Sequence, residues 1–251
     1  MSISEQLVLF LASFAANWFS ALSGGGAGLI QFPLLIFLGL PFGVALATHK
    51  LASVALGLGA SLRHGQDNIL ERRFALIILA AGLPGVILGA SVILFVPARA
   101  ATMALGVLTL GLGLFSVFKP QLGMLHAPKH REGKALVMGV IGLFVIGVLN
   151  GSITSGTGLF LTMWLIYFFG MDYKRALAYT LVLCGLVWNG TGALVLGVLG
   201  NIAWSWMPAL LAGSLLGGYA GSHFALKKGN RWIKRAFETV TILIGAKLII
   251  G

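Results

Sequence analysis

Acidic residues are scarce in this chain: six Asp and Glu stand among 251 residues, against 17 Lys and Arg, and charged residues of both signs make up only 9%. Soluble domains carry about 25% charged residues, so the deficit excludes an ordinary soluble fold. The single cysteine, Cys184, excludes an internal disulfide and any cysteine-based metal cluster. There is no His-Glu-x-x-His zinc motif, no P-loop and no Gly-x-Ser-x-Gly elbow, so nothing points to an enzyme and no cofactor is expected. Without a nucleotide site, active transport would have to draw on an ion or substrate gradient. No Asp or Glu lies deep in an apolar run, which removes a carboxylate proton relay. Met1 to Glu5 lacks a basic n-region, so no cleavable signal is expected.

What the chain has in abundance is apolar sequence, 58% hydrophobic, with 36 glycines. Apolar runs cover 6–38, 44–62, 74–96, 98–118, 135–169, 176–199, 202–226 and 236–250, most of them near the ~20 residues that cross a bilayer. An all-α polytopic integral membrane protein follows. Gly85-x-x-x-Gly89 and Gly217-x-x-x-Gly221 fit the small-xxx-small pattern by which membrane helices approach closely. The net charge of +11 does not imply nucleic acid, because basic residues of membrane proteins collect on cytoplasmic loops as topology signals.

Two runs, 6–38 and 135–169, are too long for one crossing and break at small polar residues, Ser23 to Gly28 and Asn150 to Gly158. A helix broken in lipid must line a cavity or be buried in protein, since its freed N–H and C=O groups find no water there. Shifting the chain against itself by 131 residues lays Gly25 on Gly156, Phe37 and Gly39 on Phe168 and Gly170, and Ala45-Leu46-Ala47 on Ala176-Leu177-Ala178. The halves are weak repeats: 1–120, then a basic linker 121–134, then 135–251. Their hairpins span 6–38 and 135–169, followed by helices 44–62, 74–96 and 98–118 in the first and 176–199, 202–226 and 231–250 in the second. If every run crosses once, Lys and Arg divide 7 against 8 between the two sides. If the two broken runs return to their own side, the division becomes 14 against 1, with Lys50 and Lys247 inside apolar runs. The excess of Lys and Arg on cytoplasmic loops selects the second arrangement. It inverts the second half relative to the first and puts both termini outside the cytoplasm. Paired interrupted segments in inverted repeats point to a transporter's binding site.

Candidate binding residues cluster at these breaks. Ser23, Gly24, Gly25 and Gly26 form the first tip with Gln31 one turn on; Asn150, Thr154, Ser155, Gly156 and Thr157 form the second. Helices starting after each tip aim their positive ends inward, which suits an anion. The plain alternative is that these small residues merely permit tight packing. Thr48, His49 and Lys50 follow in the next helix. An ionisable residue so deep marks a substrate path by default, so Lys50 is the candidate cation, with snorkelling to the interface as its alternative. His49 either meets the ligand or a proton, or is a packed histidine. Asn189 is a candidate lining residue on the equivalent helix of the second half, where Tyr179-Thr180-Leu181 replaces the Thr-His-Lys. Ser155 has no identifiable base, which argues against a hydrolase.

Ser-Gly-Gly-Gly-Ala-Gly-Leu-Ile-Gln-Phe-Pro-Leu-Leu at 23–35, Ala-Leu-Ala-Thr-His-Lys-Leu at 45–51 and Asn-Gly-Ser-Ile-Thr-Ser-Gly-Thr-Gly at 150–158 resemble the sulfite exporter TauE/SafE family of permeases. The resemblance runs over nearly the whole chain. It implies passage of small sulfur-containing anions, such as sulfite, thiosulfate or organosulfonates, across a bacterial inner membrane. The chain departs from the family pattern at its second tract, where Ser-Gly-Thr-Gly is poorer in glycine and Trp164 stands at the position aligned with Pro33. An anion channel and a non-transporting scaffold are the alternatives. The partners expected are the anion and the lipid bilayer; a homo-oligomer is compatible with the sequence, and nucleic acid is not expected.

Overall fold

A computed structural model describes residues 2–65, 69–93, 98–152, 156–199 and 201–250. The described residues are all-helical, with ten helices: α1 Ile3–Ser23, α2 Ala27–Phe37, α3 Phe42–His64, α4 Arg72–Val92, α5 Ala98–Val117, α6 Gly133–Ser152, α7 Thr157–Tyr167, α8 Tyr173–Leu199, α9 Met207–Lys228 and α10 Asn230–Ile250. Five of them, α1, α3, α4, α6 and α8, are long and apolar enough to cross a membrane. The chain is a polytopic membrane protein. At 11 residues each, α2 and α7 are about 16 Å long, roughly half a ~30 Å hydrocarbon core.

Each long broken run is split where the sequence places its small residues. Ser2 and Glu5 start α1 with a reciprocal capping box, and α1 ends where Gly24, Gly25 and Gly26 take φ values of +86°, +142° and +103°. L-residues with a Cβ rarely adopt such values. Gly156, at φ +78°, starts α7 as Gly26 starts α2. Other helix limits differ from expectation for local reasons. α8 begins at Tyr173 because the Asp172 side chain accepts from Arg175 N at 2.9 Å and pairs with the Arg175 guanidinium at 3.0 Å. α9 begins at Met207, not 202, because a 3-10 turn over Trp204–Trp206 precedes it and Pro208 fixes the first helical turn. Within α8, Thr180–Trp188 is wound as a π-helix.

The helices pair in a reciprocal pattern: α1 packs on α9 and α6 on α4, while α3 packs on α8 and α5 on α10. Glycine makes the first two pairs close. Gly213, Gly217 and Gly221 lie against the α1 backbone at Phe10, Phe14 and Trp18, and Gly85 and Gly89 lie against the α6 backbone at Phe144 and Val148. Gly147 and Gly151 answer on Gly82 and Val86. Residue numbers rise together along both seams, so each pair runs parallel. Added Cβ atoms at these glycines would land on main-chain oxygens, as the small-xxx-small motifs anticipate.

The two hairpins return at opposite ends of α9. Leu38, after α2, shares a cavity with Trp206 just before α9 begins. Gly170, after α7, accepts from Ala127 N at 2.8 Å, and Lys174 N donates to Asn230 Oδ1 at 3.0 Å just past the end of α9. Most of the basic residues gather at that second end. There Arg63 Nε donates to His223 Nδ1 at 3.3 Å, Asn230 Nδ2 to Met124 O at 3.1 Å, and Arg131 pairs with Glu71. Trp204 is exposed on the opposite rim, as an interfacial anchor would be.

Candidate functional site

The two breaks touch one another. The carbonyl of Gly24 accepts from Thr162 Oγ1 at 2.8 Å, and a Cβ on Gly25 would fall 2.7 Å from Gly158 C and Leu159 N. Gly26 lies against Val240, midway along α10. Beside this contact is a cavity of about 40 Å³ whose wall includes Gly26, Ala27 and Gly28 from the start of α2 and Gly156, Thr157 and Gly158 from the start of α7. The positive ends of two helices therefore open on one small space. Neither helix carries a side-chain cap, because its N-cap residue is glycine. The rest of the wall comes chiefly from α3 and α8, with His49, Ser53, Thr180, Cys184 and Asn189, and from Ser20 of α1 and Asn150 of α6. Among the described residues no carboxylate lines it.

His49 is held in one tautomer by its neighbours. Gln31 Nε2 donates to Ser13 Oγ at 2.9 Å, which leaves Gln31 Oε1 to accept from His49 Nδ1 at 2.7 Å. Ser53 Oγ donates to the His49 carbonyl at 2.9 Å and lies 3.3 Å from Nε2. With Nδ1 donating to Gln31 and Ser53 Oγ donating to the backbone, Nε2 keeps its lone pair as an acceptor. The chain of bonds continues away from the cavity: Ser13 Oγ donates to Leu210 O at 2.8 Å, and Asn17 Nδ2 donates to Ser214 Oγ at 2.9 Å. These residues cross the α1–α9 seam, so Gln31 positions His49 from a network anchored on both halves.

Lys50 is fully buried and its Nζ donates to the Asn150 carbonyl at 2.6 Å, near the C-terminal end of α6. A helix C-terminus attracts a cation, and no carboxylate pairs with Lys50 among the described residues. Its stem packs on Gly192, where a Cβ would approach within 2.9 Å. The same Asn150 lines the cavity, its Nδ2 donating to Thr157 Oγ1 at 2.9 Å and to Asn189 Oδ1 at 3.3 Å, while its own Oδ1 is buried without a partner among the described residues. The charge therefore stands one residue behind the wall.

Of the residues expected at the site, Gly25, Gly26, His49, Asn150, Gly156, Thr157 and Asn189 line the cavity. Gly24 and Ser23 build the first tip, Ser23 Oγ donating to Gly25 O at 2.8 Å. Gln31 stands behind His49. Thr48 is turned elsewhere and accepts from Ala203 N at 3.0 Å, holding the loop before α9. Thr154 and Ser155 lie outside the described residues. Ser20, Ser53 and Cys184 also line the cavity without a sequence signal, since a small residue in an apolar run carries no sign of whether it faces a helix or a void, and Thr180 joins them at the position equivalent to His49. The π-helical turn supplies two of them, and such widened turns are frequent at functional sites.

The family described as Sulfite exporter TauE/SafE matches residues 9–248. The chain belongs to that family. Among similar proteins, a "Probable membrane transporter protein" of Haemophilus influenzae is 28% identical over 253 residues, covering 99% of this chain and 96% of its own length. "Probable membrane transporter protein YfcA" of Escherichia coli is 26% identical over 243 residues, covering 96% and 88%. "Probable membrane transporter protein YjnA" of Bacillus subtilis is 23% identical over 263 residues, covering 99% and 100%. No solved structure matches the chain. As a TauE/SafE member with such relatives, the chain is a probable membrane transporter and not an enzyme.

Proposed function

We propose that this protein is a secondary transporter for a small sulfur-containing anion, bound between the two helix breaks and moved by alternating access. The observation that carries the reading is the pair of uncapped helix N-termini, α2 and α7, opening on one carboxylate-free cavity with a buried lysine behind it. A cavity of about 40 Å³ has room for roughly three water-sized bodies. That favours a compact oxyanion such as sulfite over a bulky organosulfonate. Lys50 supplies long-range attraction, and the tip amides with the Thr157 hydroxyl, which accepts from Asn150 Nδ2, supply directed donors. His49 Nε2 accepts from the anion's protonated oxygen.

The two halves, 1–120 and 135–251, are read as inverted repeats, each a re-entrant hairpin and three crossings. The reciprocal pairing of α1 with α9 and α6 with α4, and the return of the hairpins at opposite ends of α9, support this. The basic end is then cytoplasmic and the termini face outward from a bacterial inner membrane.

Proteoliposome uptake tests the reading, with a thermal-shift screen of the detergent-purified protein against sulfite, thiosulfate, sulfate, taurine and sulfoacetate. The expected result is saturable uptake with counter-exchange and a melting temperature raised by the transported anion. Flux that neither saturates nor exchanges would make it a channel. Absence of both flux and any shift would leave a scaffold.

A further inference from the structure

Two cavities meet at the basic end of the molecule, sharing no lining residue with the central cavity. One, of about 740 Å³, lies between the end of α5, the segment that follows it and the start of α10. The other, of about 290 Å³, is an apolar groove between α1, α9 and α10, walled by Trp18, Phe19, Leu22, Phe224, Trp232 and Val240. Lys228 and Arg235 line both, and so join them.

The first cavity also presents Arg231 and Lys234. Lys234 is used internally: its Nζ donates to Ser116 O at 2.7 Å, Ser116 Oγ at 2.9 Å and Lys119 O at 3.1 Å, and pairs with Glu238 at 3.0 Å. That clamp fixes the wall without using the other cations. Lys228, Arg231 and Arg235 are exposed and have no ion pair among the described residues. Lys228 sits 5.3 Å over Phe224 and 5.4 Å over Trp232, so the aromatic rings of the groove hold its ammonium at the junction. Opposite the cations stand the exposed Val117 and Leu125.

We propose that the joined cavities bind an anionic phospholipid, its phosphate on Arg231, Arg235 and Lys228 and one acyl chain along the groove between α1 and α10. A free anion would use only the cations, and a zwitterionic lipid offers them no net charge. An anionic phospholipid satisfies both parts, and guanidinium groups suit phosphate oxygens in two-point contact. Basic pockets between membrane helices on a cytoplasmic face recognise such headgroups. The site is separate from the central cavity, so it stands whether or not the chain carries an anion.

Native mass spectrometry of the full chain, released from micelles doped equally with phosphatidylglycerol and phosphatidylcholine, tests this. The wild type should retain phosphatidylglycerol at least fivefold over phosphatidylcholine. Arg231→Gln with Arg235→Gln should abolish the preference, whereas Lys134→Gln with Lys227→Gln, an equal loss of charge on exposed residues outside both cavities, should leave it. Ala236→Trp, which fills the groove, should lower retention of both lipids, with circular dichroism confirming that each variant is folded. Glycerol phosphate at the same concentration should not displace the lipid. Equal retention of the two lipids by the wild type, equal effects of the two double variants, or displacement by glycerol phosphate would each overturn the proposal.

Discussion

Replacing Gly25 by Ala probes the contact on which the central cavity depends. Two costs add at that position. The backbone φ of +142° suits glycine, and holding an L-residue there costs about 1–3 kcal/mol. The new Cβ would lie 2.7 Å from Gly158 C and Leu159 N, which are main chain and cannot rotate away. Such overpacking costs about 1–3 kcal/mol more. Gly26→Ala carries only the first cost: its φ is +103°, but the nearest atoms to an added Cβ are side-chain carbons 3.5 Å away. The difference between the two variants therefore isolates the contact between the tips. Thermal melting of the detergent-purified proteins should place Gly25→Ala below Gly26→Ala by an amount matching about 1–3 kcal/mol, or roughly 2–12 °C for a chain of this size. Uptake by proteoliposomes should fall further for Gly25→Ala as well. If the two variants melt together and transport alike, the breaks do not meet as described and the cavity between them loses its basis.

Lys50→Met keeps much of the side-chain volume but removes the charge-assisted bond to Asn150 O, so anion uptake should collapse while melting falls by about 1.5–3 kcal/mol; unchanged uptake would remove Lys50 from the transport path. Gln31→Leu frees His49 from its tautomer without touching the cavity wall, and the lost buried bond, about 1–3 kcal/mol, should slow uptake most at the pH where the anion carries a proton. An uptake–pH profile identical to wild type would refute that positioning role. Lys234→Met strands Glu238 in a half-buried position beside Ser116 and should cost about 3 kcal/mol in melting experiments, with the double change Lys234→Met and Glu238→Gln recovering part of it.

The helix breaks were legible because glycine at Gly24–Gly26 and Gly156 is the residue a positive φ requires, and the sequence contains that demand locally. Gly85, Gly89, Gly217 and Gly221 were equally readable as close-approach positions, though not which helices they approach. The reach of Lys50 to Asn150 and the chain from His49 through Gln31 to Ser13 and Ser214 join residues 18 to 201 apart in sequence, and nothing local encodes such meetings. Thr48 shows the converse: its place beside His49 and Lys50 suggested a ligand, while its hydroxyl serves a loop near Ala203. The π-helix Thr180–Trp188 left no trace either, because its residues are almost wholly apolar and the widened winding accompanies a tertiary fit, where Gly57 meets the Gly185–Leu186 backbone.

The glycine seams bind each hairpin's long arm to a helix from the other half of the chain: α1 to α9, α6 to α4. With main chain pressed on main chain, neither seam can slide without lifting a full turn of knobs out of place. In the proposed alternating access the rocking bodies would consequently be mixed ones, α1 travelling with α9 and α6 with α4, with hinges in the segments around Gly39, Gly170 and Gly229, which take positive φ, rather than in the linker 121–134. Severing the chain in that linker should leave two fragments that recover transport only when they are made together.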